Sequence, residues 1–264
     1  MPREITGFSN PLVKQVRGLR EKKHRRESGM FLAEGLRILT EALDAGIAPE
    51  MLWRTPDSAA HPLVQRLEAV ADETFVTSAD ILSKLSGKDN PGSVVGVYRE
   101  LSMPLSELDR ARSGIWIVAQ ALRDPGNLGT ILRTGDAVGA GGLILIDDCT
   151  DAFSVEAVRA SMGAIFTQSV TTAAWPEFMA WLRTGPGQLV GTSLNTDIDY
   201  QTPRYAAPTF ILVGNEAQGL PPAYEAECDL LVKMPMRGKA DSLNAAVACG
   251  VMAYEVLNQQ RRGG

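Results

Sequence analysis

The sequence predicts an α/β protein in two parts, a larger carboxyl-terminal unit with a mainly parallel sheet and a smaller α/β unit before it. From residue 115 onward, strand-like and helix-like patterns alternate, which is typical of parallel strands joined by helices. Residues 99–113 mix charged residues with Pro104 and serines, as linkers do. We therefore predict two domains, residues 1–105 and residues 106–264.

The amino-terminal unit begins with a helical pattern over residues 10–27, in which Leu12, Val13, Val16 and Leu19 share one face. Short β-branched or aliphatic runs predict the strands, and apolar residues at helical spacing predict the helices. The predicted strands are 31–33, 51–53, 74–76 and 94–98, and the predicted helices are 35–45, 63–71 and 78–86. Together they form an α/β unit of ordinary domain size.

The carboxyl-terminal unit has more predicted elements, which rest on the same aliphatic runs for strands and the same helical spacing for helices. The predicted strands are 115–120, 143–147, 165–170, 188–193, 209–214 and 229–234, and the predicted helices are 128–138, 153–163, 176–183 and 242–260. In the last helix, Ser242 is the expected N-cap, and Leu243, Val247 and Val251 are expected to form the buried face.

The composition indicates a globular protein of the cytoplasm. Apolar residues make up 45% of the chain and charged residues 22%, and no apolar run reaches the length of a membrane span. Cys149, Cys228 and Cys249 are too widely spaced for a disulfide framework, so we expect free thiols in a reducing compartment. With only two histidines and no paired cysteines, a metal site is not expected.

The amino terminus is basic although the chain as a whole is acidic. Residues 1–26 contain eight Lys or Arg against two Glu, a net charge of +6, within a chain whose net charge is −5. A basic stripe of this kind is typical of phosphate binding, although a solvated helix face would give the same pattern. The candidate RNA contacts in this stripe are Lys14, Arg17, Arg20, Lys22, Lys23, Arg25 and Arg26.

Three polar loops follow aliphatic strands in the second half of the chain, where open α/β sheets bind ligands. In the first loop, Asn127 can cap the next helix. Arg133 lies outside the apolar face of that helix, so its side chain can bind a phosphate. In the second, Gly214 permits close backbone approach and Glu216 can accept hydrogen bonds from hydroxyls. Taken singly, these residues also fit a helix cap, a surface arginine and a solvated carboxylate. Dinucleotide, Walker and nucleophile-elbow motifs are missing from the sequence.

In order and spacing, the three loops resemble the motifs of the SpoU (TrmH) class of SPOUT RNA methyltransferases. The residues that match are Asn127, Gly129, Arg133 and Thr134 in the first loop, Gly214, Asn215, Glu216, Gly219 and Leu220 in the second, and Pro235, Met236, Ser242, Leu243 and Asn244 in the third. Residues 10–14 and 31–35 are similar to the family's amino-terminal substrate-binding domain, which has a ribosomal-protein-like fold.

The resemblance implies that the carboxyl-terminal domain is tied in a trefoil knot and pairs as a homodimer through its first and last helices. It implies S-adenosyl-L-methionine as the methyl donor and methylation of a ribose 2′-hydroxyl in RNA, with 23S ribosomal RNA expected. The implied donor site is Thr192, Ser193, Gly214, Glu216, Met234, Met236, Ser242 and Leu243. The implied catalytic residues are Asn127, Arg133, Glu216, Ser242 and Asn244.

Family proposals make Arg133 the general base, but a guanidinium pKa above ~12 does not suit that role. We expect Arg133 to bind the target phosphate and stabilise the developing alkoxide instead. Three other functions stay open on the sequence alone: a transfer-RNA 2′-O-methyltransferase, a small-molecule methyltransferase, and a catalytically silent RNA-binding or ribosome assembly protein.

Overall fold

The structure is a computed structural model and describes residues 2–263. The chain forms two compact units. Unit 1 contains the residues up to 101 together with residues 151–167, and unit 2 contains residues 102–150 and those from 168 onward. Residues 151–167 therefore pack with the first unit, although they lie within the second predicted domain in sequence. The predicted domain boundary between residues 105 and 106 stays a prediction.

Unit 1 is built on a five-stranded mixed sheet in the order β1-β4-β3-β5-β2. Its strands are Arg3–Glu4 (β1), Met30–Glu34 (β2), Met51–Arg54 (β3), Glu73–Val76 (β4) and Val94–Arg99 (β5). Its helices are Pro11–Gly18 (α1), Lys22–Ser28 (α2), Leu36–Asp44 (α3), Pro62–Val70 (α4), Ala79–Ser86 (α5) and Val155–Ser161 (α7). Strands β1, β4 and β3 run parallel, and β5 is antiparallel to both β3 and β2.

Local signals explain where these helices begin. The Asn10 side chain accepts a hydrogen bond from the Leu12 N–H at the start of α1, and Ser78 caps α5 in the same manner. The pattern over residues 10–27 predicts one helix, but the structure breaks it into α1 and α2. The apolar side chains of α1 and of the sheet meet in one core that includes Val13, Trp53 and Phe75, whereas α2 is polar throughout and contributes none.

Unit 2 is built on a six-stranded sheet. Its strands are Ile115–Gln120 (β6), Gly142–Ile146 (β7), Ser169–Ala173 (β8), Gln188–Thr192 (β9), Thr209–Val213 (β10) and Leu230–Val232 (β11). Its helices are Pro125–Val138 (α6), Trp175–Leu182 (α8), Pro222–Glu225 (α9) and Ala245–Gly263 (α10). Every residue of β6, β7 and β10 is buried, as expected for a sheet covered on both faces.

All pairings in this sheet are parallel, in the order β11-β9-β10-β6-β7-β8. The prediction of a mainly parallel α/β sheet is confirmed. From β6 the chain proceeds to β7 and β8 on one side, while the later strands lie on the other side. The strand order therefore reverses between β6 and β10, and such a switch point opens a crevice at the carboxyl ends of the strands. The trefoil knot stays a prediction.

Three predicted details of the larger unit are wrong. The strand expected at 165–170 begins only at Ser169, because residues 164–166 form a 3₁₀ turn. The last helix begins at Ala245, and its cap is Asn244, whose Oδ1 accepts hydrogen bonds from the N–H groups of the next turn. The face expected to be buried is largely exposed: Leu243 lies before the helix and its relative exposure is 38%, and that of Val247 is 50%.

The buried face of α10 consists of other residues, namely Ala246, Cys249, Met252, Ala253 and Val256. These side chains pack towards α6 and β10. In α6, by contrast, the predicted stripe is confirmed, since Leu128, Ile131, Leu132, Gly135 and Val138 are buried.

The three cysteines are free thiols. Burial raises the pKa of Cys228 and of Cys249 to about 12, so both stay protonated at neutral pH. Within residues 2–263, every helix is too short or too polar to cross a bilayer. In the same part of the chain, no three His, Cys, Asp or Glu side chains are grouped as metal ligands would be.

Candidate functional site

The three polar loops meet at the carboxyl ends of the parallel strands in unit 2. The first follows β6, the second follows β10 and the third follows β11. Because β6 and β10 are neighbours at the switch point, the first two loops face each other across the crevice. The loop after β9, which carries Ser193, lies next to the second loop.

A cavity of about 300 Å³ opens among these loops. All eight residues predicted to bind the donor lie in its wall: Thr192, Ser193, Gly214, Glu216, Met234, Met236, Ser242 and Leu243. Apolar side chains cover part of the wall and carboxylate, hydroxyl and amide groups cover the rest. A cavity of this size and mixed lining is suited to a nucleoside-sized ligand.

The second loop folds tightly on itself. A β-carbon at position 214 would lie 2.4 Å from the carbonyl carbon of Gly219, so only glycine fits there. The close approach that Gly214 permits is therefore to the loop's own backbone. The Asn215 side chain holds the same turn, since its Oδ1 accepts hydrogen bonds from the N–H groups of Ala217 (2.9 Å) and Gln218 (3.1 Å).

A chain of hydrogen bonds joins the three loops through their side chains. Asn244 Nδ2 donates to Asn127 Oδ1 over 2.9 Å, and Asn127 Nδ2 donates to Glu216 Oε1 over 3.2 Å. The Glu216 carboxylate also accepts from the backbone N–H groups of Arg123 and Asp124, both at 3.2 Å. Residues far apart in sequence thus form one polar network, which we call the relay (Asn244, Asn127 and Glu216).

The polarity of the relay is set at both ends. A carboxylate can only accept, so Asn127 must turn its amide nitrogen towards Glu216 and its oxygen towards Asn244. Asn244 in turn points its oxygen at the N–H groups that begin α10. The expectation that the Asn127 side chain caps α6 is wrong. Asp124 caps that helix, accepting from the Asn127 N–H over 2.6 Å, and the Asn127 side chain is free for the relay.

Glu216 is held as a charged acceptor. Loss of hydration alone would raise the pKa of its carboxyl. Hydrogen bonds from its own backbone N–H, from the Asn127 amide and from the Arg123 and Asp124 N–H groups outweigh that effect, so the pKa lies below its ordinary value. A carboxylate with a lowered pKa is a weak base, and its contacts indicate an organising role.

A second, more open depression of about 470 Å³ lies beside the relay. Its wall consists of Arg123, Asp124, Asn127, Asn215, Glu216, Ala217 and Asn244. Glu216 and Asn215 line both spaces. A group bound in the cavity and a group bound in the depression would therefore approach each other at the relay.

Two predicted catalytic residues lie apart from the relay. Arg133 is exposed on α6 and lines neither space. Ser242 is exposed and lines the 300 Å³ cavity.

Several residues of the site were missed by the sequence reasoning. Glu225 and Lys233 line the cavity, and Arg123 lines the depression. Asn215 belongs to a recognised motif but was given no role. Its Nδ2 donates to the carbonyl of Ala121 over 2.8 Å and so joins the second loop to the first. Only the motif membership of Asn215 was a usable sequence signal, because the other contacts join segments that are distant in sequence.

In unit 1, most of the basic stripe is exposed. The exposed members are Lys14, Arg17, Arg20, Lys22, Lys23 and Arg26. Arg25 is the exception and needs correction, because its side chain is only 3% exposed and is held within the protein. Its guanidinium donates to Asp151 Oδ2 at 2.7 and 3.1 Å and to the Leu19 carbonyl at 2.8 Å. These bonds leave Arg25 unsuited to contact RNA.

Comparison with known proteins agrees with this geometry. A model described as the SpoU rRNA Methylase family matches residues 114–254, which include the cavity, the depression and the relay. The chain belongs to this family. A second model, described as an MRM3-like substrate binding domain, matches residues 10–96. The predicted resemblance to SpoU enzymes with an amino-terminal substrate-binding domain is confirmed.

Relatives within the SpoU family span nearly the whole chain. The 23S rRNA (guanosine(2553)-2′-O)-methyltransferase of Bacillus subtilis is 31% identical, over 96% of this chain and 99% of its own. The 23S rRNA (uridine(2479)-2′-O)-methyltransferase of Streptomyces viridochromogenes is 32% identical, over 93% and 88%. The crystal structure of an AdoMet-bound rRNA methyltransferase from Sinorhizobium meliloti superposes with a TM-score of 0.89 at 37% identity, covering 97% of each chain.

Proposed function

We propose that this protein transfers the methyl group of S-adenosylmethionine to a ribose 2′-hydroxyl of 23S ribosomal RNA. The observation that carries the proposal is the meeting of the donor-sized cavity and the open depression at the relay. Family membership supports the reaction class and the donor. The two relatives are named for methylation of a guanosine and of a uridine in 23S rRNA.

The residues of the cavity fit the donor. The apolar side chains of Leu194, Met234 and Leu243 suit an adenine ring, and the carboxylates of Glu216 and Glu225 suit its hydroxyl and ammonium groups. When bound, S-adenosylmethionine supplies a methyl carbon on a sulfonium, which needs only in-line positioning to react. We assign its binding to the eight predicted residues.

In the reaction, the ribose oxygen forms a bond to the methyl carbon while the carbon–sulfur bond breaks, and the hydroxyl proton leaves. Because the pKa of Glu216 is lowered by its hydrogen bonds, we assign proton acceptance to water or to an RNA phosphate. Asn127 and Asn244 position the ribose at the depression. Arg133 binds the target phosphate and stabilises charge on the attacking oxygen.

We further propose that Arg133 reaches the site of a second copy of the chain. It lines neither space of its own protomer, and helix α10, which packs on the Arg133 helix α6, exposes an apolar face. That face includes Val247 and Tyr254, 50% and 54% exposed, and pairing of two chains through it would remove it from water. Replacing Val247 with Asp should convert the dimer to monomer in sedimentation velocity. A monomeric unmodified protein would contradict the proposal.

The RNA partner is supported by the exposed basic residues of unit 1. A stripe of six exposed Lys or Arg side chains binds phosphates largely without regard to sequence. We expect RNA affinity to fall steeply as salt is raised, and a flat salt response would count against this surface. Ribosomal RNA as substrate also implies that the protein works in the cytoplasm.

The function is tested by incubating the purified protein with labelled S-adenosylmethionine and 23S rRNA from a strain lacking the gene, then mapping ribose methyl groups. Label at one ribose 2′-oxygen is expected, with none on transfer RNA. Label on transfer RNA alone would support the tRNA alternative. For a silent RNA-binding protein, titration with the donor would release no heat.

The role of Arg133 has its own test. Lysine keeps the positive charge but lacks the forked donor geometry, so Arg133→Lys should lower the methylation rate about tenfold or more. Near-normal turnover of that variant would contradict the assignment of a forked phosphate contact.

A further inference from the structure

Glu225 is a second carboxylate in the wall of the cavity, besides Glu216. It ends helix α9 and contacts the loop that follows β9. Ser193 Oγ donates to Glu225 Oε1, and Asn195 Nδ2 donates to Oε1 at 3.2 Å and Oε2 at 3.0 Å. Ser193 Oγ also accepts from the Asn195 backbone N–H over 2.9 Å. All three residues line the cavity.

The Glu225 carboxylate has an acceptor site that no side chain of this group occupies. A carboxylate offers about four acceptor sites. Oε1 accepts two of the three contacts and Oε2 accepts one, so Oε2 retains a free site. The single proton of the Ser193 hydroxyl is already donated, which leaves that hydroxyl nothing to donate to a ligand. Glu225 is therefore the charged acceptor that this group offers to a molecule in the cavity, and hydrogen bonds to a charged acceptor are the stronger ones.

The sheet order separates the partners of Glu225 from Asn127 of the relay. Those partners follow β9, whereas Asn127 follows β6, and β10 lies between β9 and β6. Neighbouring strands are about 4.8 Å apart, so the loops after β9 and β6 are separated by roughly 10 Å. The apolar side chains of Leu194, Met234 and Leu243 share the cavity wall with Glu225. A carboxylate beside apolar walls is suited to a nucleoside, with the base on the walls and the ribose at the carboxylate.

We propose that Glu225 binds the donor by accepting a hydrogen bond from a hydroxyl of its ribose, and that Ser193 and Asn195 are positioning residues that orient the carboxylate. The inference rests on the proposed function, because it takes S-adenosylmethionine as the occupant of the cavity. It also adds to the predicted role of Ser193, whose hydroxyl orients the Glu225 carboxylate.

The test uses calorimetric binding of two small molecules to the full chain, without RNA. S-adenosylhomocysteine has both the ribose and the amino-acid tail, whereas 5′-methylthioadenosine has the ribose alone. Glu225→Ala should weaken binding of both by about tenfold or more, as expected when a hydrogen bond to a charged group is lost. Glu225→Gln, which keeps one acceptor oxygen, should give a smaller loss for both.

Asp197→Asn is the matched control. Asp197 pairs with the cavity residue Lys233 over 2.7 Å but does not itself line the cavity, so this change also removes one negative charge nearby. It should leave both affinities within about twofold. Thermal unfolding without ligand reports whether each variant is folded, and Glu225→Gln provides the comparison if Glu225→Ala is not.

The binding results distinguish a contact with the donor's ribose from a contact with its ammonium group and from no contact. A loss confined to S-adenosylhomocysteine would overturn the ribose assignment and indicate a contact with the ammonium group. Unchanged binding of both molecules by both Glu225 variants would overturn any donor contact. Equal losses of affinity in Asp197→Asn would show that the loss of one negative charge near the cavity is enough to weaken binding, and would also overturn the inference. If the unmodified protein bound neither molecule, the proposed function itself would fail, and the inference with it.

Discussion

The Asn127 amide donates from Nδ2 to Oε1 of Glu216 over 3.2 Å, across the switch point between β6 and β10. The same amide accepts from Asn244 over 2.9 Å, so one side chain joins two loops that are distant in sequence. Each amide of the relay has one permitted orientation, because the carboxylate at its end can only accept.

Replacing Asn127 with Asp should disable the relay. A carboxylate at this position cannot donate to Glu216 and places a second negative charge beside it, so the two loops should separate. We expect the methylation rate to fall at least about tenfold and the free energy of unfolding to fall by about 1 kcal/mol. Rates at saturating RNA and urea unfolding measure the two effects.

The matched control for that variant is Asn90→Asp, which makes the same chemical change at an exposed loop residue of unit 1. It should leave the stability unchanged. Equal stability losses in the two variants would show that the effect of Asn127→Asp does not come from the relay.

Replacing Glu216 with Gln should remove a pH-dependent part of the stability. The pKa of Glu216 is lower in the folded protein than in the unfolded chain, so its contribution is present above the ordinary carboxyl pKa and is lost as the pH falls through the lowered value. The wild-type protein should therefore be more stable than the variant at neutral pH, and the difference should shrink on acidification. Denaturant unfolding over a pH series measures it, and a difference independent of pH would contradict the assignment.

Replacing Asn244 with Ala should destabilise the start of α10, whereas Ser242→Ala should not. Asn244 caps the helix and donates to Asn127, while Ser242 lies before the cap and is exposed. We expect Asn244→Ala to cost about 1–2 kcal/mol of unfolding free energy and Ser242→Ala less than about 0.5 kcal/mol. The reverse order in thermal or urea unfolding would restore Ser242 as the cap.

Replacing Arg25 with Ala should act on stability, and replacing its neighbour Arg26 with Ala should act on RNA binding. The Arg25 guanidinium is buried against Asp151 and a backbone carbonyl, so its loss should cost about 3 kcal/mol. Arg26 is exposed, and its loss should leave unfolding unchanged but weaken RNA binding and reduce the salt slope by about 1. A stable Arg25→Ala variant with weakened RNA binding would show that Arg25 contacts RNA after all.

The parallel α/β unit, the three loops at its strand ends and the family could all be predicted from the sequence. These features depend on local patterns, since hydrophobic periodicity and turn residues are readable over short windows. Eight of the residues that line the cavity were also predictable, and six of them stand in the second and third motifs that resemble those of the family.

The tertiary structure alone decided how these residues are connected. Glu225 meets Ser193 only because α9 and the loop after β9 return to the same edge of the sheet, and 32 residues separate them in sequence. Arg25 is buried and Arg26 exposed because Asp151, 126 residues away from Arg25, supplies the partner. Val247 is exposed where a buried face was expected, because α6 covers the other side of its helix. Periodicity predicts that a helix has an apolar side, but which side is covered depends on the elements that pack against it.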